Sequence, residues 1–241
     1  MERAKKAYKN EEFLNSPEAR PLRILAEYLE PEKRFREANI RNTVVFFGSA
    51  RVKENDPDSE NRELYWKAEK LAFMLGEWFK ELNSKKAGKF AICSGGGPGI
   101  MEAANRGASR AGALSIGLNI SLPHEQLPND FITPELNFEF HYFFMRKLWF
   151  MYFARAAVFF PGGFGTMDEL FEVLTLIQTC KIERIPIVLF DQALWREVVD
   201  FEKMIEKGYI ARKDYELMRF FDDVEGAFEY LKSELKLKLK L

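Results

Sequence analysis

The sequence predicts an α/β protein, a three-layer sandwich with a mostly parallel central sheet. Three observations carry that expectation. Short apolar runs alternate with amphipathic stretches, the order that parallel α/β proteins follow. Several of those runs end in a glycine turn that leads directly into a helical pattern. The chain has 241 residues, 47% hydrophobic and 30% charged, which suits one large core. No internal repeat is visible, so the expected organisation is an N-terminal helical lead-in over residues 1–40 and a single domain over residues 41–241.

Residues 1–15 are charged and predict no firm element. Ser16 before Pro17 predicts an N-cap with proline at the first helical position, so a helix should follow in "SPEARPLRILAEYLEPE". "TVVFFGSA" (43–50) reads as a buried strand ending in a turn of small residues. Leu64, Ala68, Leu71, Leu75, Trp78 and Leu82 fall on one face of a helix expected over about 60–82. "KFAICSGGGPGIMEAANRGA" gives strand, glycine turn and helix in succession, and "ALSIGLNI" (113–120) a further strand. Prolines and polar residues make "LPHEQLPNDFITPEL" a loop. In the second half "FEFHYFF" reads as a strand, "MRKLWFMYFA" as a helix and "AAVFF" as a strand. The turn and helix of "PGGFGTMDEL" come next, then the strand "IPIVLF" and a helix over "QALWREVVDFEKMIEKG". A last helix near 224–235 runs into "LKLKLKL", whose period of two fits an edge strand, although a frayed basic end is the plainer expectation.

Composition narrows the function. A formal charge of −1 gives no reason to expect nucleic acid or an anionic membrane as partner. No apolar run approaches 18 residues, and the opening "MERAKKAYKNEEF" lacks a signal peptide's apolar core, so a cytoplasmic location is expected. Cys93 and Cys180 lack a Cys-x-x-Cys spacing and read as buried free thiols. Two histidines leave little material for a metal site, and none is expected.

In a parallel sheet, ligands bind beyond the carboxyl ends of the strands. Four segments reach that edge with unusual chemistry: Gly48-Ser49, the glycine run 94–99, residues 141–147 and residues 161–169. Glycines let backbone N–H groups approach a ligand closely, and a helix N-terminus adds about half a positive charge. Neither a P-loop nor a Gly-x-Gly-x-x-Gly fingerprint is present, so a monophosphate or small phosphorylated metabolite fits best. The candidate cradle is Gly95, Gly96 and Gly97 with Gly162, Gly163, Gly165 and Thr166, and Ser49 should line the same crevice. Thr166-Met167-Asp168-Glu169 reads two ways: as a capping box that only closes its own helix, or with Glu169 free to meet a ligand. Glu102 either caps its helix or contacts a base or ribose. Arg146 is a surface ion pair or a site cation; Lys147 points about 100° away from it around the helix. His141 reads as a hydrogen-bonded core residue. Phe138, Phe140, Tyr142, Phe143 and Trp149 either sandwich a base or pack a core or dimer interface.

Together these motifs resemble the LOG family, named after the plant protein Lonely guy. Residues 161–169, "PGGFGTMDE", match its Pro-Gly-Gly-x-Gly-Thr-x-x-Glu signature, Arg146-Lys147 its Arg-Lys pair, and "SGGGPGIME" its upstream glycine turn. The resemblance covers roughly residues 40–205. "GPGIMEAANRGA" and the lead-in are similar to the longer prokaryotic branch, which resembles nucleotide monophosphate nucleosidases and carries the label possible lysine decarboxylase. The resemblance implies a Rossmann-like fold and a homodimer or higher oligomer. It also implies hydrolysis of the N-glycosidic bond of a nucleoside 5′-monophosphate, AMP-like or a cytokinin riboside monophosphate, without a cofactor. Arg146 and Glu169 take the positions of the family's catalytic pair. Where plant-type members have methionines this chain has Phe143 and Phe150, which sets its base-binding wall apart. The alternative is a non-catalytic carrier of a nucleotide or phosphorylated cofactor. A pyridoxal-phosphate decarboxylase would need a Schiff-base lysine and a partner for the pyridine nitrogen; only Lys147 lies near the signature, and no segment supplies the rest.

Overall fold

A computed structural model describes residues 3–85, 88–122 and 127–240. The lead-in holds a 3-10 turn (Ala7–Lys9), helix α1 (Glu11–Asn15) and helix α2 (Arg20–Glu37). There follow β1 (Ile40–Phe47), α3 (Ser59–Lys85), β2 (Lys89–Ser94), α4 (Ile100–Arg110), β3 (Ser115–Ile120) and β4 (Asn137–Phe140). The second half comprises α5 (Phe143–Tyr152), β5 (Ala154–Phe159), α6 (Phe164–Gln178), β6 (Ile187–Phe190) and α7 (Gln192–Val198). The chain closes with α8 (Phe201–Glu206), α9 (Arg212–Tyr215), β7 (Met218–Phe221) and α10 (Val224–Leu239).

The seven strands form one sheet in the order β4-β3-β2-β1-β5-β6-β7, every pair parallel. Alternate residues of β1 serve opposite faces: Val44 and Phe46 pack toward α3, α4 and α10, Val45 and Phe47 toward α2, α5 and α6. Burial on both faces is why these strands read as continuous apolar runs. The chain advances from β1 to β4 on one side, then returns to place β5 on the other side of β1. That return creates a crevice at the carboxyl ends of β1 and β5.

Helix α2 holds the site-bearing half in place through an unusual bond. Pro31 lies inside it, so the Glu27 carbonyl one turn earlier has no helical donor. The Trp149 indole N–H of α5 donates to that carbonyl at 3.0 Å. The Glu27 carboxylate also accepts from the backbone N–H groups of His141 (2.8 Å) and Tyr142 (3.2 Å), just before α5 begins.

Several boundaries differ from the expectation. Ser16 flanks a 3-10 turn (Pro17–Ala19) with no side-chain cap bond, and α2 starts only at Arg20. β1 begins at Ile40, three residues early. "FEFHYFF" is a strand only to Phe140, because Glu27 takes the next two amides; α5 therefore starts at Phe143 and ends at Tyr152, leaving Ala154 to β5. The single helix expected over 192–208 is two, since Val199 is extended and Asp200 caps α8 by accepting from Lys203 N–H. α9 and β7 were not expected. Residues 235–239 of the "LKLKLKL" tail are helical, with Leu235 fully buried and Leu237 exposed; Leu241 lies outside the described residues, as do positions 123–126 of the expected loop. Cys93 is buried but Cys180 is exposed, at a left-handed position just after α6. No helix among the described residues is long and apolar enough to cross a membrane.

Candidate active site

A cavity of about 820 Å³ opens where β1 and β5 end. Ser49 N–H donates to the Pro161 carbonyl (2.9 Å) and Ile100 N–H to the Ser49 carbonyl (3.0 Å), so the turns after β1, β2 and β5 are tied to one another. Its wall includes Ser49, Gly95, Met101, Asn119, Arg146 and residues 162–169. Of the residues singled out from sequence, Ser49, Gly95, Arg146, Gly162, Gly163, Gly165, Thr166 and Glu169 therefore meet around one space.

Helix α6 starts at Phe164 with Gly163 as its N-cap, and its first bonds run from Thr166 and Met167 N–H to the Gly163 carbonyl (3.0 and 3.1 Å). Thr166 is thus the third helical residue, the capping box does not form, and Glu169 lies on the next turn against the cavity. The N–H groups of Phe164 and Gly165 precede the intrahelical ladder. Gly162 is packed, since a Cβ there would strike the Thr166 hydroxyl. Gly163 and Gly165 are different: a Cβ at either would meet nothing within 4 Å, and neither has positive φ. Protein packing and backbone conformation leave both free to carry a side chain. Neither packing within the chain nor backbone conformation accounts for glycine at these two positions.

Glu169 is 7% exposed, and its Oε2 has no hydrogen-bond partner. Oε1 lies 4.0 Å from the Lys147 ammonium. Burial pushes this carboxyl up to about 7; Lys147 and Arg146 oppose the shift, while Glu172 and Asp168 reinforce it. Lys147 turns away from the cavity, as the helical spacing predicts, and bridges Asp168 (2.8 Å) and Glu172 (2.9 Å). Burial pulls the Lys147 pKa down, but these carboxylates and Glu169 outweigh it and leave it raised. Arg146 donates from Nε to the Leu118 carbonyl at 2.7 Å, and its guanidinium lies 5.1 Å from the Phe150 ring centre. Burial lowers its pKa, against the opposing charges of Glu169 and Glu139. The guanidinium also abuts Gly95, where a Cβ would collide with it and with Met101.

Other predicted positions lie elsewhere. Gly96 N–H donates to the Ser94 hydroxyl (3.0 Å), which removes it from the donors a ligand can use, and Gly97 is buried off the cavity wall. Glu102 accepts from the Tyr65 hydroxyl at 2.8 Å, also off the wall. His141 is exposed in the turn before α5 rather than in the core. Phe138, Phe140, Tyr142 and Trp149 are core residues, whereas Phe143 and Phe150 line the cavity. Sequence reasoning missed Asn119, Ile120, Leu122, Phe164 and Val198 on the wall. Phe164 carried a usable signal: a large apolar residue inside a glycine turn, 96% exposed in the structure, has no packing role to explain it. Val198 reaches the cavity only through the tertiary fold.

These features define a parallel α/β protein with an anion-suited cavity at its strand-order reversal. A family model described as "Possible lysine decarboxylase" matches residues 101–231, more than half of the chain, and the chain belongs to this family, the LOG family. It is 26% identical over 217 residues to the pyrimidine/purine nucleotide 5′-monophosphate nucleosidase of Escherichia coli (strain K12), covering 81% of this chain and 41% of that protein. The proteins of strains O6:H1 and O157:H7 give the same figures, so this chain spans less than half the length of these curated relatives. Among solved structures, the structural-genomics target TM1055 superposes with a TM-score of 0.51 at 19% identity, over 80% of this chain and 99% of its own, and shares the fold. A Moco carrier protein from Chlamydomonas reinhardtii gives a TM-score of 0.49 at 19% identity, over 82% of this chain and 99% of its own.

Proposed function

We propose that this chain hydrolyses the N-glycosidic bond of a nucleoside 5′-monophosphate, releasing the free base and ribose 5-phosphate. The observation that carries the reading is the Glu169 carboxylate, buried on the cavity wall with one oxygen unpartnered. A buried carboxylate oxygen without a partner is costly, and a cation forming in front of it relieves that cost. Cleavage of the C1′–N bond supplies the cation: the electron pair leaves with the base and positive charge builds on the sugar. Ionised Glu169 stabilises that charge and accepts a proton from the water whose oxygen bonds to C1′; the departing base takes a proton from solvent, and Glu169 returns its own to solvent. A carboxyl poised near 7 suits such a base, and a general base contributes about 10²–10⁴-fold in rate.

The 5′-phosphate sits at the N-terminus of α6, against the open glycines and the Thr166 hydroxyl. Arg146, one of two arginines on the wall together with Arg51, serves the phosphate or the departing base. Phe143, Phe150, Ile120 and Leu122 offer the base an apolar surface. The similarity to the E. coli nucleosidases supports this reading. AMP is the first substrate to test and a cytokinin riboside monophosphate the second. We place the enzyme in the cytoplasm as a homodimer or larger; exposed Phe143, Phe144, Leu148 and Tyr152 along α5 support association. Decarboxylation, named in the family description, fits the residues poorly. The cavity wall holds no lysine among the described residues, and Lys147 is fixed between Asp168 and Glu172.

The test is incubation with AMP, GMP, CMP and UMP, with free base read by chromatography. Release is expected from at least one nucleotide and should disappear in Glu169→Gln with nucleotide binding retained. Tight binding without release from any of them overturns the hydrolase reading in favour of a carrier.

A further inference from the structure

Behind the first glycine turn lies a polar network that the proposed chemistry does not use. Asn105 of α4 and Ser94 at the end of β2 are fully buried, and Ser115 at the start of β3 nearly so. Asn105 Nδ2 donates to Ser115 Oγ (2.9 Å) and to the Ile116 carbonyl (3.1 Å). Its Oδ1 accepts from the Ser94 hydroxyl (2.6 Å) and from Asn129 Nδ2 (2.9 Å). All four hydrogen-bonding positions of the amide are filled.

The direction of every bond follows from one fact. The Ile116 carbonyl can only accept, so the NH₂ end of Asn105 faces it and the oxygen faces Ser94. Ser94 must then donate to that oxygen, which leaves its lone pair for Gly96 N–H at 3.0 Å. Asn129 holds the other side of the turn: its Nδ2 also reaches the carbonyls of Gly96 (2.9 Å) and Gly97 (3.0 Å), and its own N–H donates to Gly96 (2.8 Å). An apolar side chain in this place would carry less desolvation cost. It could neither set the polarity of Ser94 nor anchor Asn129.

We infer that Asn105 is a positioning residue for the site, fixing through Ser94 and Asn129 the turn whose Gly95 supports the Arg146 guanidinium. This rests on the hydrolase reading above. Gly95 packs so tightly on Arg146 that not even a Cβ fits between them, so any displacement of the turn moves the guanidinium or opens a gap beside it. Besides its packing on Phe150 and the charges of Glu169 and Glu139, that side chain is held by the Nε bond to Leu118.

Three variants test this with AMP as probe, or with whichever of GMP, CMP and UMP the parent cleaves if AMP is inert. Ser94→Ala removes the relay alone and Asn129→Ala the outer strap alone. Asn105→Asp keeps the volume but places an acceptor against the Ile116 carbonyl. Each single loss should raise KM for AMP roughly five- to tenfold with kcat within about threefold. The two alanine variants combined should fall short of the product, because they act on one turn. Asn105→Asp should raise KM by roughly thirtyfold; should it fail to fold, the two alanine variants decide. Amide exchange at residues 95–97 should quicken in every folded variant. Variants that lose thermal stability yet keep the parental KM overturn the inference, as does a raised KM with exchange at 95–97 unchanged. If the parent binds ribose 5-phosphate but releases no base from AMP, GMP, CMP or UMP, only the hydrolase reading falls, and the same variants are read by their calorimetric Kd for ribose 5-phosphate. A parent that binds neither overturns both.

Discussion

The two glycine turns look alike in sequence and are built for opposite reasons. In the turn after β2, Gly96 and Gly99 have φ of +74°, and a Cβ at Gly95, Gly96 or Gly99 would run into Arg146, Asn119 or the Ser49 backbone. Its amide at Gly96 is used internally, and a fully bonded asparagine stands behind it. In the turn after β5, Gly163 and Gly165 face open space at ordinary φ, and the polar group behind them, Glu169, has an oxygen with no partner. The first turn is a packed support. The second has open space in front of it and an unsatisfied oxygen behind it.

Substitutions can break this contrast. The largest effect expected is on Gly96→Ala, which forces a side chain into the Asn119 amide at a left-handed position. Urea unfolding should show a loss of about 2–4 kcal/mol, and an unchanged midpoint would show that the first turn is not packed as described. Next is Glu169. Its folded pKa, near 7, lies above the usual carboxylate value, so the fold favours the protonated form. That contribution is complete below about pH 4.5 and lost as pH rises through 7. Glu169→Gln should therefore match the parent at pH 4.5 and exceed it by roughly 2 kcal/mol at pH 8. In the parent, kcat/KM for AMP should rise through pH 7 as the base ionises; a fall instead would make Glu169 an acid. Gly165→Ala sharpens the contrast further: stability should increase by up to about 1 kcal/mol because the residue is helical, while the Kd for AMP rises roughly tenfold as a methyl enters the ligand's space. Smallest is Gly163→Ala, with stability within about 0.5 kcal/mol of the parent and again weaker AMP binding. Full affinity in both alanine variants would mean that no ligand approaches the second turn.

Much of the fold was legible because its signals are local. The stripe Leu64, Ala68, Leu71, Leu75, Trp78 and Leu82 is buried throughout on α3, and the apolar strands stand in a sheet covered on both faces. The convergence of Ser49, Gly95, Arg146 and residues 162–169 followed from the rule that parallel strands present their carboxyl ends together. What stayed hidden depended on partners remote in sequence. Nothing near Gly96 announces that Ser94, oriented by Asn105, will take its amide, nor does anything near Glu102 announce Tyr65. The end of β4 was set by Glu27, more than a hundred residues earlier. Thr166-Met167-Asp168-Glu169 misled because a capping box and the third turn position of an already started helix share the same letters; Gly163 as N-cap decided between them. β7 escaped notice as four residues at the sheet's edge.

The placement of β1 between β2 and β5 has a consequence for biosynthesis. Val45 lies beside Cys93 on one side and Ala157 on the other, so the second pairing closes a loop of about 110 residues. A nascent chain can assemble β1 through β4 while the crevice still lacks one bank, because Ser49 waits for the carbonyl of Pro161. Such distant pairing is slow to form. Any metabolite that spans the finished crevice touches early-made and late-made chain at once, and by mass action it acts as a clasp on the last joint to close.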